Sequence, residues 1–190
     1  IGCSSRTPGY LDMNTLHTTH GRALAFATGV KMYKPEVKVI VVSGDGDSVS
    51  IGGNHFIHAA RRNIDMTLVV FNNNIYGMTG GQNSPTTPRD AKTTTMTAGN
   101  FDEPFDISQL ALGAGATFVA RSTVAHPIEL ERLIRNGLLH EGFSLIECMV
   151  MCPTAYGRRN KLRDPVKNLE MYEETSISVK DAEGLSAEEL

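Results

Sequence analysis

Short runs of branched apolar residues alternate along this chain with longer segments whose apolar positions recur at helical spacing. Val37–Ser43 (VKVIVVS) is such a run and ends in Gly-Asp-Gly, which reads as a buried strand. Met66–Phe71 (MTLVVF) is a second one and ends in Asn72-Asn73-Asn74. Between them, Ile51–Arg62 predicts a helix with Ile51, His55 and Ala59 on one face. The three together make a strand–helix–strand unit, with parallel strands and a right-handed crossover expected. Upstream, Gly21–Tyr33 predicts an apolar helix that stops before Pro35.

The alternation resumes further along. Ile107–Leu112 reads as a short helix, Ala116–Ala120 as a strand and Phe143–Met149 as another strand. Pro127–Leu139 opens on a proline suited to a first helical position, with Ile128, Leu130, Leu133, Ile134 and Leu138 as its apolar set. The pattern predicts an α/β fold, an open and mostly parallel sheet with helices on both faces. The expected domain covers residues 1–160. Residues 161–190 carry four basic against eight acidic side chains and predict a solvated extension or a partner-docking arm. Thr79–Asn100, rich in Gly, Thr, Pro and Asn, is too long for a routine connection, so it is either an active-site loop or disordered.

Composition narrows the function. The 190 residues are 41% hydrophobic, enough for one domain with a core, and the formal charge of −3 leaves no basic excess for nucleic acid. No apolar run approaches the ~18–20 residues of a membrane helix. Cys3, Cys148 and Cys152 are too sparse for a secreted disulfide framework, so a reducing compartment, the cytoplasm, is expected. The chain opens Ile1-Gly2-Cys3 with neither an initiator Met nor a charged-then-apolar leader, and N-terminal truncation is expected.

In an open α/β sheet, ligands gather at the carboxyl ends of the strands. Gly44-Asp45-Gly46-Asp47 ends one predicted strand and Asn72-Asn73-Asn74-Ile75 the next. Gly44 and Gly46 let backbone approach a ligand closely. Asp45 offers an anionic oxygen, Asn73 an amide oxygen, and the following loop can turn the Ile75 carbonyl inward. Three hard oxygens with coordination positions to spare suit Mg²⁺ held jointly with ligand phosphates. Either motif alone is an ordinary turn. Both, one crossover apart and each directly after a buried strand, predict one shared ion.

The pair Gly44-Asp45-Gly46 and Asn72-Asn73 resembles the thiamine-diphosphate motif of thiamine-dependent enzymes. The wider text, IGCSSRTPGY, HTTHGRALAFATG, GDGDSVSIGGNHFIHAARRN, NNNIYGMTGGQNSPTTP and CPTAYGRRN, resembles the β subunit of 2-oxoacid:ferredoxin oxidoreductases, most closely the 2-oxoglutarate type, from Ile1 to about Asn160. The resemblance implies a thiamine-diphosphate-binding fold. Asp45, Asn73 and Ile75 then match Mg²⁺ ligands, and Gly44, Gly46, Asp47 and Tyr76-Gly77-Met78-Thr79 match loops around the diphosphate. His20 and Gly21 match backbone set against the aminopyrimidine. The implied reaction is oxidative decarboxylation of a 2-oxoacid, with electrons leaving through iron–sulfur centres to ferredoxin and coenzyme A taking the acyl group.

The family's four-iron, four-sulfur cluster needs about four thiolates. Cys3 and Cys152 match two of them, and the remaining ligands are expected upstream of this chain. Without the resemblance both cysteines read as small core fillers, as Cys148 does within its strand. The family also places the glutamate that activates the cofactor on a partner α subunit, so an obligate partner is expected at the mouth formed by Gly44–Asp47 and Ile75–Thr79. Arg6 either clamps the substrate carboxylate or faces solvent. His20 is the other candidate for a catalytic contact. His17, His55 and His58 lack the partners and spacing of a zinc site. Two rival readings are a non-oxidative thiamine-dependent decarboxylase or carboligase, and a non-catalytic cofactor-binding module.

Overall fold

Strands that are apolar on both faces need cover on both sides, and in this computed structural model, which describes residues 2–183 and 185, helices supply it. The strands are β1 (Ile40–Gly44), β2 (Met66–Asn72), β3 (Phe118–Thr123) and β4 (Phe143–Met149). Among the described residues they form one sheet of order β1-β2-β4-β3, parallel throughout. The register aligns Val41, Leu68, Leu145 and Val119 in one row.

On that face lie α1 (Ala23–Tyr33), α2 (Gly53–Arg61) and α3 (Ile107–Gly113). Leu24, Ala27, Phe56, Ala59, Ile107 and Ala111 from these helices join Val41, Leu68, Val70 and Leu145 in one buried cluster. The other face is covered by α4 (Pro127–Leu139). Its Gly137 comes so close that a Cβ would lie 2.6 Å from Ile146 Cδ1 and 3.3 Å from Thr67 Cγ2. The Gly137 carbonyl accepts from Thr67 Oγ1 and Ser144 Oγ, each at 3.0 Å. From β1 through β2 to β3 the chain moves one way across the sheet, with α2 and α3 on one face. The return step to β4 puts α4 on the other face, as crossovers of a single hand require.

The departures from expectation have local causes. Asp47–Ile51 forms a widened helical turn ahead of α2. The extra residue shifts the helix phase, so the buried face is Phe56, Ala59 and Ala60 while Ile51 is 48% exposed. β1 starts at Ile40, after the Val37 carbonyl has accepted from Lys31 Nζ at 3.0 Å and the Val39 carbonyl from the Thr67 N–H at 3.0 Å. β3 likewise starts at Phe118, two residues later than expected. Ile128, in the first turn of α4, is 85% exposed and does not belong to the helix's apolar set.

Thr79–Asn100 contains no helix or strand, yet it is tied down by hydrogen bonds, among them Asp90 N–H to the Asn100 carbonyl at 2.7 Å. After β4 come α5 (Tyr156–Asn160), α6 (Pro165–Thr175) and α7 (Val179–Ala182). The Tyr172 hydroxyl of α6 donates to the Val150 carbonyl at 3.0 Å, so this part of the acidic segment docks where β4 exits. Residues 184 and 186–190 of that segment lie outside the described residues. No helix among the described residues is long and apolar enough to cross a membrane.

Candidate cofactor and metal site

The carboxyl ends of β1, β2 and β4 open onto a cavity of about 750 Å³, within the range of ~300–1,000 Å³ that cofactor-sized ligands occupy. Cys3, His20, Gly44, Asp45, Gly46, Asp47, Asn73, Ile75, Tyr76, Gly77, Met78, Thr79 and Cys152 line it. Residues far apart in sequence thus meet at one place because three strands end on the same side.

Asp45 is 2% exposed. Its Oδ2 accepts from the hydroxyls of Ser84 and Thr86, the latter at 2.7 Å. Burial pushes its carboxyl above the ordinary carboxylate range, and those two hydroxyls oppose the shift. Across from it, Asn73 Oδ1 lies 3.2 Å from Asp45 Oδ1 and 2.6 Å from the Ile75 carbonyl oxygen. Half a turn of the amide would present its NH₂ to both oxygens. The Ile75 N–H also approaches this amide, so Asp45, the Asn73 side chain and the Ile75 main chain meet at one place. A carboxylate, an amide and a carbonyl are a hard-oxygen donor set that fits Mg²⁺ and leaves positions for water and phosphate. Among the described residues no three His, Cys, Asp or Glu side chains cluster as a metal site, so any ion here depends on the amide and carbonyl oxygens.

Asp47, 5% exposed, holds the turn before α1. Its Oδ1 accepts from the Gly21 N–H at 2.6 Å and its Oδ2 from Ser43 Oγ at 2.6 Å. His20 Nδ1 lies 2.5 Å from the same Oδ1 but out of line for a hydrogen bond. Gly21 has φ +72, and a Cβ there would strike Ile51 and the Gly52 backbone. Gly21 thus packs against the start of α2 and does not line the cavity, whereas His20 beside it does. Tyr76 stands edge-on to His20, with ring centroids 6.1 Å apart. Met78 is 51% exposed, and the Thr79 hydroxyl donates to Gln82 Oε1 at 2.6 Å.

The cysteines divide in two. A Cβ built on Gly77 would lie 3.4 Å from Cys152 Sγ and 3.5 Å from Cys3 Sγ, so both sulfurs approach one point on the cavity wall. Cys3 is exposed and Cys152 half-buried. Cys148 is fully buried in β4, and burial beside Glu147 pushes its thiol up to about 12. Arg6 stands exposed on the 3-10 turn Cys3–Tyr10 and is not brought to the cavity.

Residue reasoning overlooked the support beneath the strand tips. Ser84 and Thr86 come from the long polar loop, and Asn72 and Glu147 from adjacent strands. Asn72 Nδ2 donates to Glu147 Oε1 at 2.8 Å. The available signals were a lone carboxylate inside the apolar run FSLIECM and the packed hydroxyls of SPTTP.

A parallel sheet whose strand tips carry this oxygen set and a cofactor-sized cavity is the thiamine-pyrophosphate-binding class of α/β domain. Residues 1–148 match the family of the C-terminal TPP-binding domain of thiamine pyrophosphate enzymes. Within that class, the chain belongs to the family of KorB β subunits of 2-oxoacid oxidoreductases. It is 54% identical over its full length to the 2-oxoglutarate synthase subunit KorB of Methanocaldococcus jannaschii, of which it spans 70%. Over 80% of its length it is 48% identical to the 2-oxoglutarate oxidoreductase subunit KorB of Mycobacterium tuberculosis, covering 41% of that relative. A solved 2-oxoglutarate:ferredoxin oxidoreductase from Magnetococcus marinus, with 2-oxoglutarate, coenzyme A and succinyl-CoA bound, superposes with TM-score 0.80 at 42% identity. That match covers 82% of this chain, which spans 53% of the solved one.

Proposed function

We propose that this chain is the thiamine-diphosphate- and Mg²⁺-binding part of a cytoplasmic 2-oxoglutarate:ferredoxin oxidoreductase, active with a partner α subunit and coenzyme A. The observation that carries the proposal is the Asn73 side-chain amide set 3.2 Å from Asp45 Oδ1 and 2.6 Å from the Ile75 carbonyl oxygen, at the tips of two neighbouring strands. These three groups would hold the ion. The backbones of Gly44–Asp47 and Tyr76–Thr79 would line the diphosphate, and His20, beside the Gly21 turn fixed by Asp47, would stand at the other end of the cofactor. Thiamine diphosphate supplies, when bound, the electron sink for decarboxylation next to the keto carbon.

Cys3 and Cys152 would supply two thiolates of a four-iron, four-sulfur cluster that passes electrons to ferredoxin. Their approach to Gly77 supports this reading and has no use in a non-oxidative decarboxylase. The partner would close the mouth over Gly44–Asp47 and Ile75–Thr79, where Met78 is exposed.

Calorimetry on the assembled complex, with thiamine diphosphate in the presence and absence of Mg²⁺, tests the site. The expected outcome is tight binding only with the ion, together with 2-oxoglutarate- and coenzyme A-dependent viologen reduction. Binding indifferent to Mg²⁺ would remove the metal site, and the absence of a brown chromophore after anaerobic purification would remove the cluster.

A further inference from the structure

We propose that a buried chain of side chains, Glu147–Asn72–Thr86, positions the metal-ligand oxygens, with Asn72 as its hub. This rests on the reading that Asp45, Asn73 and Ile75 hold Mg²⁺. Asn72 is the last residue of β2 and is 3% exposed. Its Oδ1 accepts from Thr86 Oγ1 at 3.0 Å and from the Asn74 N–H at 3.1 Å. Thr86 Oγ1 also lies 2.7 Å from Asp45 Oδ2. One amide oxygen therefore reaches both halves of the ligand set. Through Thr86 it sets the rotation of the Asp45 carboxylate, and through the Asn74 amide it sets the turn that carries Asn73 and the Ile75 carbonyl.

Asn72 is held in turn from the middle of the sheet. Its Nδ2 donates to Glu147 Oε1 at 2.8 Å, which orients the amide with its oxygen toward the site. Glu147 is 1% exposed; its Oε2 accepts from Ser108 Oγ at 2.7 Å and from Arg121 Nε at 2.8 Å. Arg121 is anchored by Asp106, which caps α3 and accepts from Arg121 Nη2 at 2.6 Å. A buried carboxylate and amide in a sheet core carry a desolvation cost that an apolar pair avoids. What they supply here is direction: the Asn72 amide is held with Nδ2 on Glu147 and Oδ1 toward Thr86, whose one hydroxyl proton is shared between Asn72 Oδ1 and the Asp45 oxygen opposite the ion. Groups that orient metal ligands commonly govern affinity without touching the metal.

The test uses the assembled complex. The apparent Mg²⁺ Kd at saturating thiamine diphosphate is measured by calorimetry alongside the melting temperature, for wild type, Thr86→Val, Thr86→Ser, Glu147→Gln and Asp45→Asn. Thr86→Val removes the shared hydroxyl at nearly constant volume and should raise the Mg²⁺ Kd about 10- to 100-fold. Thr86→Ser should restore it, and Glu147→Gln should shift it in the same direction as Thr86→Val. Should Glu147→Gln not fold, the Thr86 pair decides. A Thr86→Val protein that melts lower but binds Mg²⁺ as wild type does would overturn the positioning role. Wild type that shows no Mg²⁺-dependent binding, indistinguishable from Asp45→Asn, would instead overturn the metal-site reading on which the role depends.

Discussion

The ring of Tyr76 lies against the α-carbon of Gly46, and its hydroxyl donates to the Gly46 carbonyl at 3.2 Å. The tip of β1 and the loop after β2 are thus in direct contact across the cavity wall. A Cβ on residue 46 would collide with the ring. Gly46→Ala is therefore expected to displace Tyr76, to cost about 1–3 kcal/mol as overpacking does, and to weaken thiamine diphosphate binding. Thermal melts and calorimetry on the same preparation check both. A Gly46→Ala protein matching wild type in each would show that the ring yields freely.

Asp45→Asn should separate stability from binding. The buried carboxylate is costly in the free site, where burial raises its pKa. An asparagine oxygen can still accept from Ser84 and Thr86, while its NH₂ faces the Asn73 amide. The expected result is a melting temperature in the absence of cofactor at or above that of wild type, with Mg²⁺-dependent cofactor binding lost. Retained binding would show that the carboxylate charge does not hold the ion.

The strand tips were legible because a parallel sheet displays its order in sequence. Each β-branched run ends in the polar residues that must lie at its carboxyl end, so Asp45 and Asn73 could be placed before any coordinates. Helix phase was less legible. The widened turn at Asp47–Ile51 adds a residue that no periodicity announces, and it moved the buried face of α2 from Ile51 and His55 to Phe56 and Ala60. Least legible were Ser84 and Thr86, which reach Asp45 from 39 and 41 residues away through a segment without regular structure. Only tertiary folding brings a loop back over its own sheet. Glu147 was visible as a break in an apolar run, but its partners Asn72, Ser108 and Arg121 come from three other segments.

The Lys31–Asp65 pair should carry part of the acid limb of stability. Lys31 is 7% exposed and its ammonium donates to Asp65 Oδ2 at 2.9 Å and to the Pro35 and Val37 carbonyls. The Lys31 hydrogen bond holds the Asp65 carboxyl below its ordinary 3.8. A lowered folded-state value means that the pair's stabilisation is fully present above the unfolded value and is lost as pH falls through the folded one. Asp65→Asn should therefore unfold at lower denaturant concentration than wild type at neutral pH, with the gap closing in strong acid. Because Asp65 is 38% exposed, solvent screening keeps the effect modest. A gap that persists unchanged into strong acid would assign it to packing instead of charge.

Thiol reactivity should divide the cysteines as their exposure does. The thiolate is the reactive form, and with the Cys148 thiol pushed up to about 12, only about one in ten thousand such groups is ionised near pH 8. Cys148 is also closed off in β4, whereas Cys3 is exposed and Cys152 half-buried. In reduced, cluster-free protein, iodoacetamide should label Cys3 and Cys152 under native conditions and Cys148 only after denaturation, with mass spectrometry of peptides locating each adduct. Loading the cluster in the assembled complex should then protect Cys3 and Cys152 together, since a shared set of thiolates leaves neither free to be alkylated. Protection of one without the other would exclude a cluster ligated by both, and native labelling of Cys148 would show that β4 opens far more readily than its packing implies.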